Sequence, residues 1–467
     1  MAQKVKLLNY DVAVIGGGTA GMAAAVAASK NGAKTILVEA GPMLGGELHT
    51  GMSVNGALNA RGEYVVGGVA TELFDECRKI GGFIGPVHDY RLICYVVLDP
   101  ELVKIAIARL IDRYGVTPLL YSLVDQVVMD GDRVESVGVV NKQERILLKA
   151  KYFIDCSGDG DVAAMAGAPF ELGDRDGRLQ PLSIMFRMSG VENGPLLSFV
   201  RSHPGNLAVG ESDYVRAGRT DAELAEAIYR QGEPAVFFKA GGPLMRNAIQ
   251  AGDLFPTALI MLYPTSHARR EVCVNATRVA ENIDGVQVGR VSGVLPRLLD
   301  QVLTAAGFLQ KHVPGFEHAS IAGIAPRVGI RETRRILGEA ILTGEDVRSG
   351  RKREDGVAKG CHHIDIHGED VEQVRIPVDN GGSYDIPWGS LLPRMLANVY
   401  VAGRCLSSDR EGHGSARNMG NCLAMGHAVG AAAGLSIAAG MKDIRELPVQ
   451  RLRAVLKEQG AVLDGVY

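Results

Sequence analysis

Apolar and polar positions near the N-terminus alternate between strand-like and helix-like segments. The apolar run at residues 10–15 ends in glycines, and an alanine-rich segment from Met22 to Asn31 follows at once. A second apolar run, Thr35-Ile-Leu-Val, ends on the acidic Glu39. The order of strand, glycine turn, helix and strand predicts a βαβ unit of a parallel sheet.

The alternation continues to about residue 170. Leu102 to Tyr114 has helical periodicity, and residues 115–121 have a strand pattern. Two apolar runs, Val124 to Met129 and Arg133 to Val140, flank Asp130-Gly-Asp and predict a β-hairpin. Strands are also predicted at 145–150 and from residue 152, the latter ending in a tight turn before an alanine-rich helix.

Beyond this region the pattern changes. From about Glu171 to Trp388 loops and helices are longer, and then a buried strand is predicted at 398–403, followed by an Ala/Gly-rich helix. We therefore predict an α/β fold whose nucleotide-binding domain is discontinuous, formed by residues 1–170 and 391–467. An α+β domain facing the substrate, residues 171–390, is inserted between the two parts.

Composition narrows the class of protein. A chain of 467 residues can hold two or three domains, and its net charge of −3 offers no basic surface for nucleic acid. The seven cysteines form no CxxC pair, which argues against an iron–sulfur cluster, a zinc site or a dithiol. No signal peptide is predicted, and Cys422 to Met441 is interpreted as a helix packed inside the protein. We expect a cytoplasmic protein that binds no membrane and no metal.

The first glycine turn has the spacing of a dinucleotide-binding fingerprint, Gly16-x-Gly18-x-x-Gly21. Gly16 makes the tight turn, Gly18 lets the backbone approach a pyrophosphate, and Gly21 lets the helix pack on the strand. Glu39 stands where a carboxylate accepts hydrogen bonds from a ribose. The alternative is a glycine turn that binds no ligand.

Three separated motifs carry a family resemblance: the segment from Gly16 to Glu39, the segment Phe153-Ile-Asp-Cys-Ser-Gly-Asp-Gly-Asp, and the segment from Val401 through Arg417 to Gly430. With them the chain resembles FAD-dependent oxidoreductases of the glutathione-reductase-like superfamily. More narrowly, it is similar to a bacterial FAD-dependent oxidoreductase family related to fumarate reductase flavoproteins. The resemblance implies a Rossmann-like FAD-binding domain of the glutathione-reductase type.

The resemblance also implies which residues bind FAD. The helix that begins near Gly420 would direct its dipole at the flavin, and Val124 would offer its backbone to the adenine. No second glycine fingerprint occurs, so no NAD(P)H domain is predicted. The implied FAD-binding residues are Gly16, Gly18, Thr19, Ala20, Gly21, Glu39, Ala40, Gly46, Glu47, His49, Val124, Ser157, Gly158, Asp161, Gly403, Arg404, Asn421, Cys422 and Leu423.

Candidate catalytic residues are Arg417, His413 and His367. The resemblance to fumarate reductases implies that Arg417 anchors a substrate carboxylate, and the alternative is an arginine that braces the flavin loop. His413 could donate a proton or only orient its loop. His367 is expected to line the substrate pocket, and strand alternation would put His363, Asp365 and His367 on one face.

Two further features leave alternatives open. Arg331, Arg334 and Arg335 have helical spacing. At least one is expected to form a structural ion pair with Glu332 or Glu339, and another could reach the flavin or an acidic substrate. His49 could bond covalently to the flavin, as a histidine does in some relatives, but a non-covalent contact is the preferred interpretation.

We therefore expect an FAD-dependent oxidoreductase that transfers a hydride between flavin and a small molecule, at a C–C bond next to a carboxylate or carbonyl. The alternatives are an oxidase or monooxygenase acting on an amine or alcohol, a flavoprotein electron-transfer subunit, a thiazole-synthase-like protein and a nucleotide-binding protein without catalysis. The electron acceptor or donor is unidentified, and a homo-oligomer is left open.

Overall fold

The computed structural model describes residues 5–368 and 373–465. The strands in these ranges are β1 (Val5–Ile15), β2 (Thr35–Val38), β3 (Phe83–His88), β4 (Cys94–Leu98), β5 (Thr117–Leu119), β6 (Leu123–Asp130), β7 (Arg133–Val140), β8 (Arg145–Asp155), β9 (Phe170–Leu172), β10 (Phe186–Ser189), β11 (Val236–Lys239), β12 (Leu259–Ser266), β13 (Glu271–Asn275), β14 (Ser320–Ile324), β15 (Arg334–Ile336), β16 (Gly356–Gly360), β17 (Ile364–His367), β18 (Gln373–Ile376), β19 (Tyr384–Pro387) and β20 (Val399–Val401).

The α-helices are α1 (Thr19–Lys30), α2 (Val69–Lys79), α3 (Leu102–Arg113), α4 (Asp161–Met165), α5 (Asn193–Ser202), α6 (Asp213–Arg216), α7 (Asp221–Gln231), α8 (Pro243–Ala251), α9 (Val288–His312), α10 (Gly344–Arg348), α11 (Arg410–Ala416), α12 (Met419–Ala438) and α13 (Val449–Glu458). Short 3-10 turns occupy Gly46–His49, Pro204–Asn206, Asp379–Gly381 and Trp388–Leu391. The hairpin, the helix after residue 102 and the closing Ala/Gly helix predicted from the sequence are all confirmed.

A seven-stranded sheet forms the centre of the first unit, in the order β5-β2-β1-β8-β7-β6 with β20 beside β8. Strand β1 pairs in parallel with β2 and with β8, so that Val12 lies opposite Thr35 on one side and Tyr152 on the other. The second half of β1 is buried, as expected of a parallel strand covered on both faces. The predicted α/β fold with a Rossmann-like domain is confirmed.

Helices α1 and α12 pack together on this sheet, although about 400 residues of chain separate them. The backbones touch because both helices present small residues. A Cβ atom added at Gly426 would lie 2.1 Å from the Ala20 carbonyl oxygen, and one at Gly430 would lie 2.2 Å from that of Ala24. By length and composition α12 could cross a membrane, but 78% of its apolar window is buried inside the protein.

The second unit is built on a five-stranded antiparallel sheet, β11-β12-β13-β10-β14. Its apolar core takes residues between Leu182 and Ala325, with α5, α7, α8 and α9 contributing. By contrast, Leu342, Val357, Ile386 and Trp388 belong to the core of the first unit. By this criterion the second unit ends near residue 330, whereas the predicted boundary is at 390. The difference arises because α10, β16 and β19 pack in the core of the first unit.

The prediction of helical spacing at Arg331, Arg334 and Arg335 is wrong. Strand β15 begins at Arg334 and pairs with β9, and residues 331–333 before it are not helical. Arg335 is buried and forms an ion pair with Glu332 at 2.7 Å, while Arg334 contacts Asp161 at 2.9 Å. Strand alternation sends Arg334 and Arg335 in opposite directions, whereas Arg331 lies before the strand.

Candidate active site

The turn between β1 and α1, residues 16–21, has the shape of an anion-binding site. A Cβ atom at Gly21 would lie 1.7 Å from the Gly16 carbonyl oxygen, so only glycine permits this crossing. At Gly18, the residue before α1, an added Cβ would meet nothing within 4 Å. No side chain caps the N-terminus of α1 in the structure as described. Free amides beside open space can hold a phosphate group.

Glu39 follows β2 and lies beside this nucleotide-binding turn. Its two carboxylate oxygens accept hydrogen bonds from the amides of Gly17 at 2.7 Å and Gly41 at 2.6 Å. A carboxylate has about four acceptor positions, so these bonds leave capacity for a ribose hydroxyl. Ala40 lies between Glu39 and Gly41 in the chain. The backbone amide of Ser122 donates to the Glu39 carbonyl oxygen, and Val124 lies two residues further along the chain, on β6 opposite Val139.

The 3-10 turn Gly46–His49 covers the same region. A Cβ at Gly46 would lie 3.0 Å from the Gly18 Cα atom, and Glu47 pairs with Arg327 at 2.7 Å. Thr19 donates its hydroxyl to the Gly45 carbonyl at 3.3 Å. His49 is buried in this turn, and burial with the nearby Arg327 and Lys104 cations lowers the pKa of its imidazole. A non-covalent contact between His49 and a flavin stays a prediction.

The second and third sequence motifs meet the first at this turn. Gly16 packs on the backbone of Cys156 and Ser157, and Gly403 packs on Ala20. Ser157 donates to Asp155 at 2.6 Å and accepts from the amide of Asp161 at 3.0 Å. Arg404 donates to Asp159 at 2.8 Å, close to Gly158. Segments far apart in sequence thus meet around the turn before α1.

The N-terminus of α12 ends this surface. Asn418 precedes the helix without a side-chain cap, and Gly420 donates its amide to the Asn55 carbonyl at 2.8 Å. Asn421 donates to the Tyr384 hydroxyl, while its Oδ1 atom is buried without a donor among the described residues. The Cys422 thiol contacts the Arg417 carbonyl at 3.3 Å. Leu423 is fully buried in the apolar core of the first unit.

A polar cleft opens between the two units and reaches the start of α12. It encloses about 610 Å³, counting its open mouth. Its polar and charged lining includes Asn55, Asp89, Arg91, Tyr95, Asn275, Arg331, His362, His363, Asp365, His367, Gln373, Arg375, Arg417 and Asn418. We call this space the cleft. It places Arg417 and His367, both predicted from the sequence, in one site.

Two arginines in the cleft have unused hydrogen-bond capacity. The Arg417 Nη2 atom reaches the Asp365 carbonyl at 3.3 Å and the Gln180 amide oxygen at 3.4 Å, and its Nε atom is buried with no acceptor in the described chain. Arg331 donates to the Pro181 carbonyl at 2.5 Å and has no carboxylate within ion-pair distance among the residues described. Burial and the neighbouring Arg417 lower the pKa of Arg331 to about 10.

Three histidines line the cleft in different hydrogen-bonded states. His367 bonds through Nε2 to Asp365 at 3.0 Å and through Nδ1 to the Gln373 amide at 2.7 Å. His362 bonds through Nδ1 to the His363 carbonyl at 2.8 Å, which leaves its Nε2 atom without a partner in the described residues. Burial lowers the pKa of both His362 and His367 to about 4. Both imidazoles are therefore neutral near pH 7. No group of three metal-binding side chains occurs in the described part of the chain.

His413 lies outside the cleft lining. It is fully buried in α11 and bonds through Nε2 to the Arg404 carbonyl at 2.9 Å. Burial and the cations of Arg417, Arg335 and Arg404 hold the pKa of His413 well below its usual range. This environment fits the loop-orienting alternative considered for His413, because a carbonyl of the Arg404 turn is its partner.

Sequence reasoning missed Arg91 and Arg375. Arg91 follows β3 in a turn organised by Asp89, whose Oδ1 atom accepts the amides of Arg91, Leu92 and Ile93. Arg375 lies on β18, opposite Asp365 of β17. A turn motif of the form Asp-x-Arg or a lone arginine in a strand carries no functional signal by itself, so only the fold brings these residues to the cleft.

Comparison with known proteins gives a family and several solved structures with a similar fold. A family model described as FAD dependent oxidoreductase matches residues 11–456. Among solved structures, a geranylgeranyl bacteriochlorophyll reductase-like protein from Thermoplasma acidophilum is similar at 14% identity and a TM-score of 0.46, over 97% of this chain and 84% of that one. The flavin-dependent brominase Bmp2 is similar at 12% identity and a TM-score of 0.47, over 96% and 83%. The p-nitrophenol 4-monooxygenase PnpA from Pseudomonas putida DLL-E4 has 12% identity and a TM-score of 0.46, over 93% and 82%.

Proposed function

We propose, from the premise that this chain belongs to the FAD dependent oxidoreductase family, that it transfers a hydride between FAD and a small organic acid. The reacting position would be a C–C bond next to the carboxylate or to a carbonyl. FAD, when bound, supplies the two-electron chemistry at its N5 atom. The electron acceptor or donor that completes the cycle would be a second small molecule or a carrier.

The residues around the nucleotide-binding turn fit an FAD cofactor. Open space at Gly18 and the uncapped start of α1 suit the pyrophosphate, and Glu39 suits a ribose hydroxyl. The start of α12 offers a positive dipole for the flavin ring. Ser157, Arg404, Gly46 and Glu47 would support the middle of the molecule, and Val124 the adenine.

The observation that carries the proposed substrate class is the pair of under-used guanidinium groups on Arg417 and Arg331. Both line the cleft where it meets the start of α12. A guanidinium offers a planar pair of donors that matches a carboxylate, and its charge persists at any working pH. Asp365 stays ionised, because His367, His363 and Arg417 hold its pKa well below the usual range despite burial. It lies near Arg417 but leaves the Arg417 Nε atom unpaired.

His362 is the residue that we propose to take a proton from the substrate carbon. Its Nδ1–H is held by a backbone carbonyl, which directs the lone pair of Nε2 away from that carbonyl. A neutral imidazole can accept a proton at pH 7, whereas both ring nitrogens of His367 are already bonded. His367 would instead keep Asp365 in place beside Arg417.

The test is binding of simple carboxylates to the FAD-loaded protein. Butyrate and valerate are titrated at pH 7 while the visible absorbance of the flavin is followed. Arg417→Met and Arg331→Met are each expected to weaken binding roughly 10- to 100-fold, since a charged hydrogen bond contributes about 1.5–3 kcal/mol. Arg353→Met is the control, because Arg353 pairs with Asp355 and is not among the cleft residues.

Carboxylates that bind equally to wild type and to both variants would contradict the proposal. The oxidase or monooxygenase alternative is tested separately, by mixing the reduced protein with air-saturated buffer. Reoxidation within milliseconds would favour that alternative, and slow reoxidation would favour a dehydrogenase or reductase.

A further inference from the structure

A second pair of arginines, Arg91 and Arg375, lies in the same cleft as Arg417 and Arg331. Both members contact one carboxylate: Glu211 Oε2 is 3.0 Å from Arg91 Nε and 3.0 Å from Arg375 Nη1. Arg375 also faces Asp365 across the β17–β18 strand pair. Asp365 therefore lies between the two arginine pairs, and the cleft carries positive charge on both sides of it.

Arg91 is almost fully buried, although part of its guanidinium has no hydrogen-bond partner among the described residues. The residue is 4% exposed, and its Nη2 atom has no acceptor in the part of the chain that the structure describes. Its Nη1 atom lies 4.0 Å from the Met261 sulfur, and its guanidinium lies 5.7 Å from the Phe237 ring centre. Leaving a buried cationic N–H without a partner is unfavourable, and a bound anion would remove this cost.

A second unpartnered donor lies in the same cluster. Tyr95 is 1% exposed, lines the cleft, and its hydroxyl has no partner among the described residues. The Tyr95 ring packs edge-on against Tyr263 at 5.5 Å, and Tyr263 packs against Phe237 below Arg91. The cluster thus presents a hydroxyl and a guanidinium, both of which can donate to one oxyanion.

The charges in the cleft do not balance. Four guanidinium groups, on Arg91, Arg375, Arg331 and Arg417, face two ion-pairing carboxylates, on Glu211 and Asp365. Asp89 is a third carboxylate of the lining, but its Oδ1 atom accepts three backbone amides and it forms no ion pair with these four arginines among the described residues. The arginines outnumber the carboxylates that pair with them, and a second anionic group on the ligand would reduce this excess of positive charge.

We propose that the substrate carries two anionic groups, one held by Arg417 and Arg331 and the other by Arg91, Arg375 and Tyr95. The first contact rests on the function proposed above, and the second is new. The second group is a carboxylate or a phosphate-like oxyanion, since either accepts from a guanidinium fork and a hydroxyl. Arg91, Arg375 and Tyr95 are thus specificity-determining residues.

The experiment uses the FAD-loaded protein and follows flavin absorbance during titration at pH 7. The probes are α,ω-dicarboxylates from malonate to adipate, the monocarboxylates with the same carbon numbers, and 3-phosphonopropionate as the phosphate-like arm. At least one doubly anionic acid is expected to bind roughly 10- to 100-fold tighter than its monocarboxylate partner. A preference for the dicarboxylate or for the phosphonate identifies the second group.

Variants show which residues cause the preference for doubly anionic acids. Arg375→Met and Tyr95→Phe are each expected to reduce the advantage of the doubly anionic acid while leaving the affinity for monocarboxylates unchanged. Arg91→Met should do the same, and if it does not fold, the other two variants decide. Arg353→Met is the matched control, because its side chain is 22% exposed against 17% for Arg375 and each pairs with one carboxylate at about 3 Å.

Equal affinity for single and double acids at every length would overturn the second anion site. In that case Arg417→Met still distinguishes the two proposals. If it weakens the monocarboxylates, the proposed function stands without a second site; if it changes nothing, the proposed function fails as well.

Discussion

The nucleotide-binding turn and the cleft are built from different kinds of residue. The turn is shaped by backbone and by glycines within six positions of each other, residues 16–21. The cleft is shaped by charged side chains from β17, β18 and the segments around residues 91, 331 and 417. A site formed by the backbone of consecutive residues can be recognised from a short sequence motif. A site formed by side chains that are distant in sequence has no single motif of this kind.

The largest expected effect comes from paired substitutions within the turn. Gly21→Ala should yield no folded, FAD-loaded protein, because its Cβ would lie 1.7 Å from the Gly16 carbonyl oxygen. Gly18→Ala should fold with its free energy of unfolding changed by about 0.5 kcal/mol or less, since its Cβ meets nothing within 4 Å. FAD affinity should nevertheless fall in Gly18→Ala. Thermal unfolding with and without added FAD measures both effects, and wild-type FAD affinity in Gly18→Ala would refute the assignment.

A substitution at His362 tests whether the cleft performs the chemistry. With any acid that reduces the flavin, His362→Gln should slow anaerobic flavin reduction roughly 100-fold, as expected for loss of a general base. In the wild type the rate should stay constant through neutral pH and fall only as the pH approaches about 4, where His362 becomes protonated. Stopped-flow rates between pH 4 and 8 measure this. If the rate of flavin reduction in His362→Gln falls over the same acidic pH range, the fall is caused by another group.

His413 tests the opposite expectation for a histidine on the FAD side. His413→Leu leaves the Arg404 carbonyl without its donor and should lower the free energy of unfolding by roughly 1–3 kcal/mol. It should also lose FAD more readily. The control is His427→Leu, since His427 is equally buried in α12 but bonds to Gln459. Similar FAD retention in both variants would show that His413 has no special relation to the Arg404 turn.

Acid should destabilise the folded chain through the buried histidines of the cleft. The pKa values of His362 and His367 are about 4 in the folded chain and about 6.5 when unfolded. The unfolded chain therefore binds more protons between these values, so stability is full above pH 6.5 and falls as the pH drops towards 4. Each histidine contributes at most about 1.4 kcal/mol per pH unit. Urea unfolding of wild type and His362→Gln at pH 7 and 5 measures the difference, which should be smaller in the variant.

The smallest effect is expected at His49. Because a non-covalent contact is predicted there, acid precipitation should release all of the yellow cofactor into the supernatant. His49→Ala should then shift the flavin absorbance slightly and leave the cofactor bound. Colour that remains with the precipitated wild-type chain, but not with His49→Ala, would instead establish a covalent bond.

The same contrast explains what the sequence could and could not predict. The βαβ unit, the hairpin at 123–140 and the closing helix follow from periodicity and glycine spacing, and the structure confirms them. Arg331 to Arg335 was placed on a helix by spacing alone, but pairing of β15 with β9 imposes an extended chain. Tertiary pairing overrides such a local preference. Arg91 and Arg375 could not be predicted, because no local pattern relates residue 91 to residues 211 and 375.

The packing of α12 on α1 also sets an order of events during synthesis. Ribosomes make the N-terminal glycine turn first, yet the surface against which Ala20 and Ala24 pack is supplied by Gly426 and Gly430. Domains fold as units while the chain emerges, so the nascent first unit must wait, with an alanine-rich helix uncovered, until nearly the whole chain has left the ribosome. A chain cut short before residue 426 would lack the surface against which Ala20 and Ala24 pack.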